Sequence, residues 1–151
     1  MTKKERHILD VMHYGEAATL TSITGTTCPC LASNGGAYSL EWHRVNSGSA
    51  ACNGTGLISR TTTTTDIYVL ICPAQFIGTT GICEKEQMTI MGEIQDDDMI
   101  LMGACTTAGV EVDLSVYDEK NDYITYDSRK YTVRHYFDTD YLTIGLLKRI
   151  N

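Results

Sequence analysis

Apolar side chains are distributed along this chain mostly as they are in short strands. Val110, Val112, Leu114 and Val116 alternate with Glu111, Asp113 and Ser115, the strongest period-two pattern present, which predicts a strand with one face in the core. Ile67, Val69 and Ile71 alternate with Asp66, Tyr68 and Leu70 after a run of threonines from Thr61 to Thr65, and Pro73, lacking an N–H for the ladder, stops the segment. Ala17 to Ile23 reads as extended. Met88 to Ile94 and Met99 to Met102, joined across Gln95-Asp96-Asp97-Asp98, predict a hairpin. Tyr123 to Tyr126 and Lys130 to Tyr136 flank the turn Asp127-Ser128-Arg129, and a last run spans Tyr141 to Ile150 after Asp138-Thr139-Asp140. Seven or so short strands separated by turn signals predict a mainly β fold, a small antiparallel barrel closed or nearly closed on itself.

A different period opens the chain. Thr2-Lys3-Lys4-Glu5 fits a capping box, Ile8, Leu9 and Met12 form a short stripe at helical spacing, and Gly15 is placed to end the helix in a left-handed conformation. A helix of about three turns is stable only when docked, so it is expected to be a packing arm or lid.

Residues 28–56 have no period. They are rich in Gly, Ser and Asn and poor in core formers, yet too long for a routine connection, so they read as an insertion into a single domain covering residues 1–151. They also hold the one constellation with chemistry in it: Cys28-Pro29-Cys30, His43 after a gap of twelve residues, and Cys52-Asn53-Gly54-Thr55-Gly56 after a further gap of eight. Three thiolates and a neutral imidazole suit zinc, and four protein ligands leave no open position, which makes such a site structural. The glycines after Cys52 allow the tight bend that turns backbone N–H groups toward its sulfur. Ser49 stands where a CxxC partner of Cys52 would be, so the fourth ligand is either His43, the preferred reading, or one of Cys72, Cys83 and Cys105. The competing reading is unrelated thiols, and Cys72 and Cys105 lie in strand-like contexts that suit small buried side chains.

At 151 residues, a chain buries roughly 68–70% of its unfolded surface and needs no disulfide staples. Twelve Lys and Arg against nineteen Asp and Glu give a formal charge of -7, which disfavours a phosphate-binding face. The start of the chain lacks the layout of a secretory signal, so a reducing compartment and free thiols are expected. No apolar run approaches the length of a membrane span. Other candidates read blandly: Asp96-Asp97-Asp98 as a solvated turn, His135 as a strand histidine, Trp42 as packing for the insertion. No hydrolase elbow, metalloprotease helix or phosphate loop is present, so the chain reads as a non-enzyme.

The run Asn121-Asp122-Tyr123-Ile124-Thr125-Tyr126, the turn Asp127-Ser128-Arg129-Lys130, then Tyr131-Thr132-Val133 and the closing Leu146-Leu147-Lys148-Arg149 resemble the carboxy-terminal barrel hairpin of head-completion (head-closure or stopper) proteins of tailed bacteriophages. The segment around Cys28-Pro29-Cys30 and Cys52-Asn53-Gly54-Thr55-Gly56 is similar to one carried by some small phage neck proteins. The resemblance implies a structural virion protein, made in the bacterial cytoplasm, that forms a homo-oligomeric ring, a dodecamer, between the portal or adaptor ring and the tail proteins. Such a ring closes or gates the channel through which viral DNA passes. An acidic lumen would let DNA slide. The insertion and the loop from Phe76 to Glu86 are then the expected neighbour or lumen contacts. The alternatives are a tail-terminator or tail-tube protein and, from another class, a small zinc-dependent hydrolase or deaminase.

Overall fold

The computed structural model describes residues 1–49, 51–73, 97–138 and 143–150, and of residues 115, 135–138 and 143 the backbone alone. Its elements in chain order are α1 (Lys3–Tyr14), β1 (Glu16–Thr27), α2 (Pro29–Ala32), α3 (Leu40–Val45), β2 (Leu57–Pro73), β3 (Met99–Thr106), β4 (Tyr123–Tyr126), β5 (Arg129–Asp138) and β6 (Thr143–Ile150). The chain forms two compact units. Unit 1 comprises residues 1–21 and 64–151 and unit 2 residues 22–63, so unit 2 includes strand residues on both sides of the 28–56 segment.

The strands close into an antiparallel barrel in the order β1-β2-β3-β6-β5-β4. Closure leaves no free edge in the ladder. The β4–β5 hairpin turns on Asp127 and Ser128, both with positive φ (48° and 60°), and Tyr126 pairs with Arg129, the twist that a two-residue hairpin requires. Alternate inward side chains fill the barrel: Leu20 from β1, Ile67 and Val69 from β2, Leu101 from β3, Ile124 from β4, Tyr131 from β5 and Leu147 from β6 belong to one core cluster. The ladder of β2 and β3 slips between Leu70 and Ile71, where Leu70 faces Gly103 and Ile71 faces Leu101, so Met102 is the extra residue of a bulge.

That bulge is where α1 docks. Gly103, at φ 152°, has no side chain, and a Cβ there would lie 2.5 Å from His7 Nε2 and 2.9 Å from Val11 Cγ2. His7 Nε2 sits 2.8 Å from the Met102 carbonyl oxygen, to which it donates. The helix begins as expected, with the Thr2 hydroxyl accepting from Glu5 N–H and the Glu5 carboxylate from Thr2 N–H. Its buried residue is Val11; Ile8 and Met12 of the expected stripe are half-buried, while Leu9 is 52% exposed. Gly15 is not left-handed. It is extended (φ -70°, ψ 158°), and its role is close approach, because a Cβ would meet the Val11 carbonyl oxygen at 2.2 Å as the helix passes directly into β1.

Residues 110–116 correct the expectation of a strand. Only Glu111 bridges to Cys105, and Leu114–Val116 is a 3-10 turn. Gly109, at φ 81°, reverses the chain after β3, with Thr106 N–H donating to the Val110 carbonyl and Val110 N–H to the Thr106 hydroxyl. Val112 and Leu114 are buried in the core and Val110 and Val116 are exposed, so only the middle of the alternation marks burial. The proposed strand Met88 to Ile94 and the Phe76 to Glu86 loop lie outside the described residues.

Asp98 corrects another expectation. It is not a solvated turn residue but buried, with Lys148 Nζ 2.6 Å from its Oδ2. Asp97 is half-exposed and Asp96 lies outside the described residues, as does the side chain of His135. Among the described residues no helix is long and apolar enough to cross a membrane.

Candidate metal centre

Unit 2 has almost nothing else to fold around. Among its described residues the only buried side chains are Cys28, Cys30 and Cys52, with Leu31, Trp42 and Ile58 packed part-buried against them. Two short helices deliver the donors. Cys28 is the N-cap of α2 and Pro29 its first residue, a position where the missing N–H costs nothing, which leaves Cys30 one residue further into the turn. α3 starts at Ser39, whose hydroxyl accepts from Trp42 N–H at 3.1 Å, and it carries His43. Tyr38 stacks on the His43 ring at a centroid distance of 5.7 Å, and Trp42 meets it edge-on at 5.0 Å. These two rings fix the imidazole plane, a role that nothing in the spacing of Tyr38 announces.

Cys52 comes from the return strand side. Asn53, Gly54 and Gly56 all take positive φ (49°, 80° and 77°), and the bend lets the N–H groups of Gly54 and Gly56 point at the Cys52 sulfur. The same bend brings the Gly56 carbonyl to Cys28 N–H at 2.8 Å, tying the first and last ligand segments together. At Gly56 a Cβ would also press on Leu31 Cδ1 at 3.0 Å.

The four donor atoms of Cys28, Cys30, His43 and Cys52 lie within 4.8 Å of one another and form a group that can hold a metal ion. His43 Nε2 is 3.5 Å from the sulfur of Cys28 and 3.5 Å from that of Cys52, and the sulfurs of Cys30 and Cys52 are 3.8 Å apart. A disulfide would need about 2.05 Å, so these are free thiols. Burial pushes the Cys28 thiol up to about 11, against the Cys30 N–H, which favours its thiolate. Burial acts the same way on Cys52, but the N–H groups of Gly56 and Gly54, followed by the His43 ring and the Cys28 thiol, outweigh it and bring that group down to about 6. One thiolate is thus prepared by the backbone itself.

Cys72 and Cys105 are strand residues of unit 1, outside this cluster, and burial raises both thiols. His43 is therefore the fourth donor of the cluster. Cys83 lies outside the described residues. Trp42 packs on the cysteine cluster, within unit 2. Compared with protein-family models and with curated proteins, the chain matches none.

Proposed function

We propose that this chain is a structural protein of the tailed-bacteriophage neck, in which Cys28, Cys30, His43 and Cys52 hold a structural zinc ion. The observation that carries the metal is the spacing of the donors. Around zinc, with bonds of about 2.3 Å to sulfur and 2.0–2.1 Å to nitrogen, tetrahedral geometry sets S···S near 3.8 Å and S···N near 3.5 Å. The measured separations are 3.8 Å and 3.5 Å. These three separations match the tetrahedral values, and four protein ligands would close the shell, which favours a structural over a hydrolytic or deaminating role. Bound there, the ion supplies cross-linking of three chain segments; Cys28 and Cys30 anchor α2, His43 anchors α3 and Cys52 anchors the glycine bend.

The neck reading rests on the resemblance of the β4–β5 hairpin and of the closing strand to head-completion proteins, together with a closed barrel carrying a metal-organised excursion. In that reading copies of the chain form a ring, a dodecamer, between the portal or adaptor ring and the tail proteins. The ring belongs to the virion and closes or gates the DNA channel, and the formal -7 of each copy keeps passing DNA from binding its wall. A tail-terminator role would share the barrel and differ in the ring it meets.

The test is to purify the full chain, measure metal content and mass together, and locate the chain by labelling in phage particles that encode it. One zinc per chain, an assembled ring and label at the head–tail junction are expected. A metal-free folded tip would overturn the zinc assignment; a chain absent from particles would overturn the neck assignment.

A further inference from the structure

Closure satisfies the edges of the barrel only where its strands overlap. β2 runs from Leu57 to Pro73, but its ladder with β3 begins at Ile67, and among the described residues no strand pairs along that edge before it. Residues 59–66 are all exposed. Ser59 interrupts the extended backbone at φ 52°, and Ile67 is buried opposite Thr106, so the open edge is the seven-residue run Arg60-Thr61-Thr62-Thr63-Thr64-Thr65-Asp66. An open extended edge is a template for a further strand. Arg60 and Asp66 take part in no ion pair among the described residues.

We propose that this edge pairs antiparallel with the same edge of a second copy, about a two-fold axis through Thr63. The run is self-complementary. In that register Arg60 of each copy stands opposite Asp66 of the other, Thr61 opposite Thr65, Thr62 opposite Thr64, and Thr63 opposite itself. Positions 60 and 66 are an even number of residues apart, so both charged side chains leave the same face of the strand and meet directly across the pair. Five identical threonines supply no hydrophobic pattern to fix a register, which leaves that task to the flanking charges. A parallel in-register pairing sets Arg60 beside Arg60 and Asp66 beside Asp66, and an antiparallel pairing slipped by one residue places each charge opposite an uncharged residue. Only the two-fold arrangement centred on Thr63 joins opposite charges at both ends. Main-chain hydrogen bonds supply the attraction, and threonine pairs across antiparallel strands add to it. A two-fold contact uses one patch on both copies, whereas a ring needs two different patches, so this pairing goes beyond the neck reading and does not rest on it.

The experiment measures association of the full zinc-loaded chain by sedimentation as wild type, as Arg60→Asp, as Asp66→Arg, and as the double variant that exchanges the two charges. Both positions are exposed, and unchanged melting and metal content establish that the variants fold. Each single variant sets like charges opposite one another at both ends, so it is expected to self-associate at least about ten-fold more weakly than wild type. An equal mixture of the two single variants, and the double variant alone, each restore two opposite-charge pairs and are expected to recover wild-type association. Single variants that associate like wild type, or a loss that neither the mixture nor the double variant recovers, would overturn the pairing and leave the ring reading untouched. A wild type that stays monomeric overturns both. A wild type that stops at a dimer, weakened and rescued as described, supports the pairing and counts against the ring.

Discussion

Asp98 and Lys148 meet at 2.6 Å with side chains only 2% and 16% exposed, and the pair ties the residue ahead of β3 to the neighbouring strand β6. Removing Asp98 takes a 2.6 Å ion pair from the mostly buried Lys148 ammonium. Asp98→Ala is expected to lower unfolding stability by about 3–5 kcal/mol, whereas Asp98→Leu with Lys148→Met restores most of that loss. Urea unfolding of the two variants separates the cost of breaking the pair from its net worth.

Metal removal is expected to act on unit 2 alone. A structural zinc contributes about 10–16 kcal/mol of apparent binding energy in small peptides, and among its described residues unit 2 has no other buried side chains to replace it. Chelator, or Cys30→Ser, should expose residues 28–56 to protease and hydrogen exchange while the barrel keeps its protection. Cobalt in place of zinc should give the absorption of a tetrahedral site with sulfur-to-metal charge transfer. An unchanged digestion pattern after chelation would count against the metal.

Gly103 is the seat of α1. Gly103→Ala places a Cβ against His7 and Val11, and overpacking of this kind costs about 1–3 kcal/mol. Amide exchange in α1 should accelerate more than exchange in β5 and β6, because the helix can lift off where the closed ladder cannot.

Tyr126 donates its hydroxyl to Glu16, and that bond, with burial second, raises the phenol to about 12. A group whose folded pKa is raised stabilises while protonated, so its contribution is complete below the ordinary tyrosine value of about 10 and is lost as pH climbs through 12. Melting of wild type and Tyr126→Phe should converge across that window. The difference is small because the pair is solvent-exposed.

The barrel was legible because two-residue periodicity and turn residues such as Asp127-Ser128 are local signals that the final ladder obeys. Residues 110–116 were misread for the same reason. Alternation marks Val112 and Leu114 as inward, which they are, but it cannot tell that the ladder to β3 stops at the Cys105–Glu111 bridge, beyond which the chain turns and Val116 is exposed. Asp98 was misread because burial of a carboxylate depends on Lys148, fifty residues away. In the metal centre, ligand types and the glycine bend were visible from Cys28 to Gly56, whereas the choice of His43 over the strand cysteines required α3 to be placed. The ring of Tyr38 on His43 had no sequence signature at all.

A unit whose buried side chains, among its described residues, are three cysteines of one cluster obeys unusual rules of descent. Few other positions pack against them, so apart from Leu31, Tyr38 and Trp42 the segment between Cys30 and Cys52 is freer to be rewritten over generations than four donors and a pair of glycines. Such a unit can acquire new contacts quickly, at a pace that the interlocked side chains of the closed barrel do not permit.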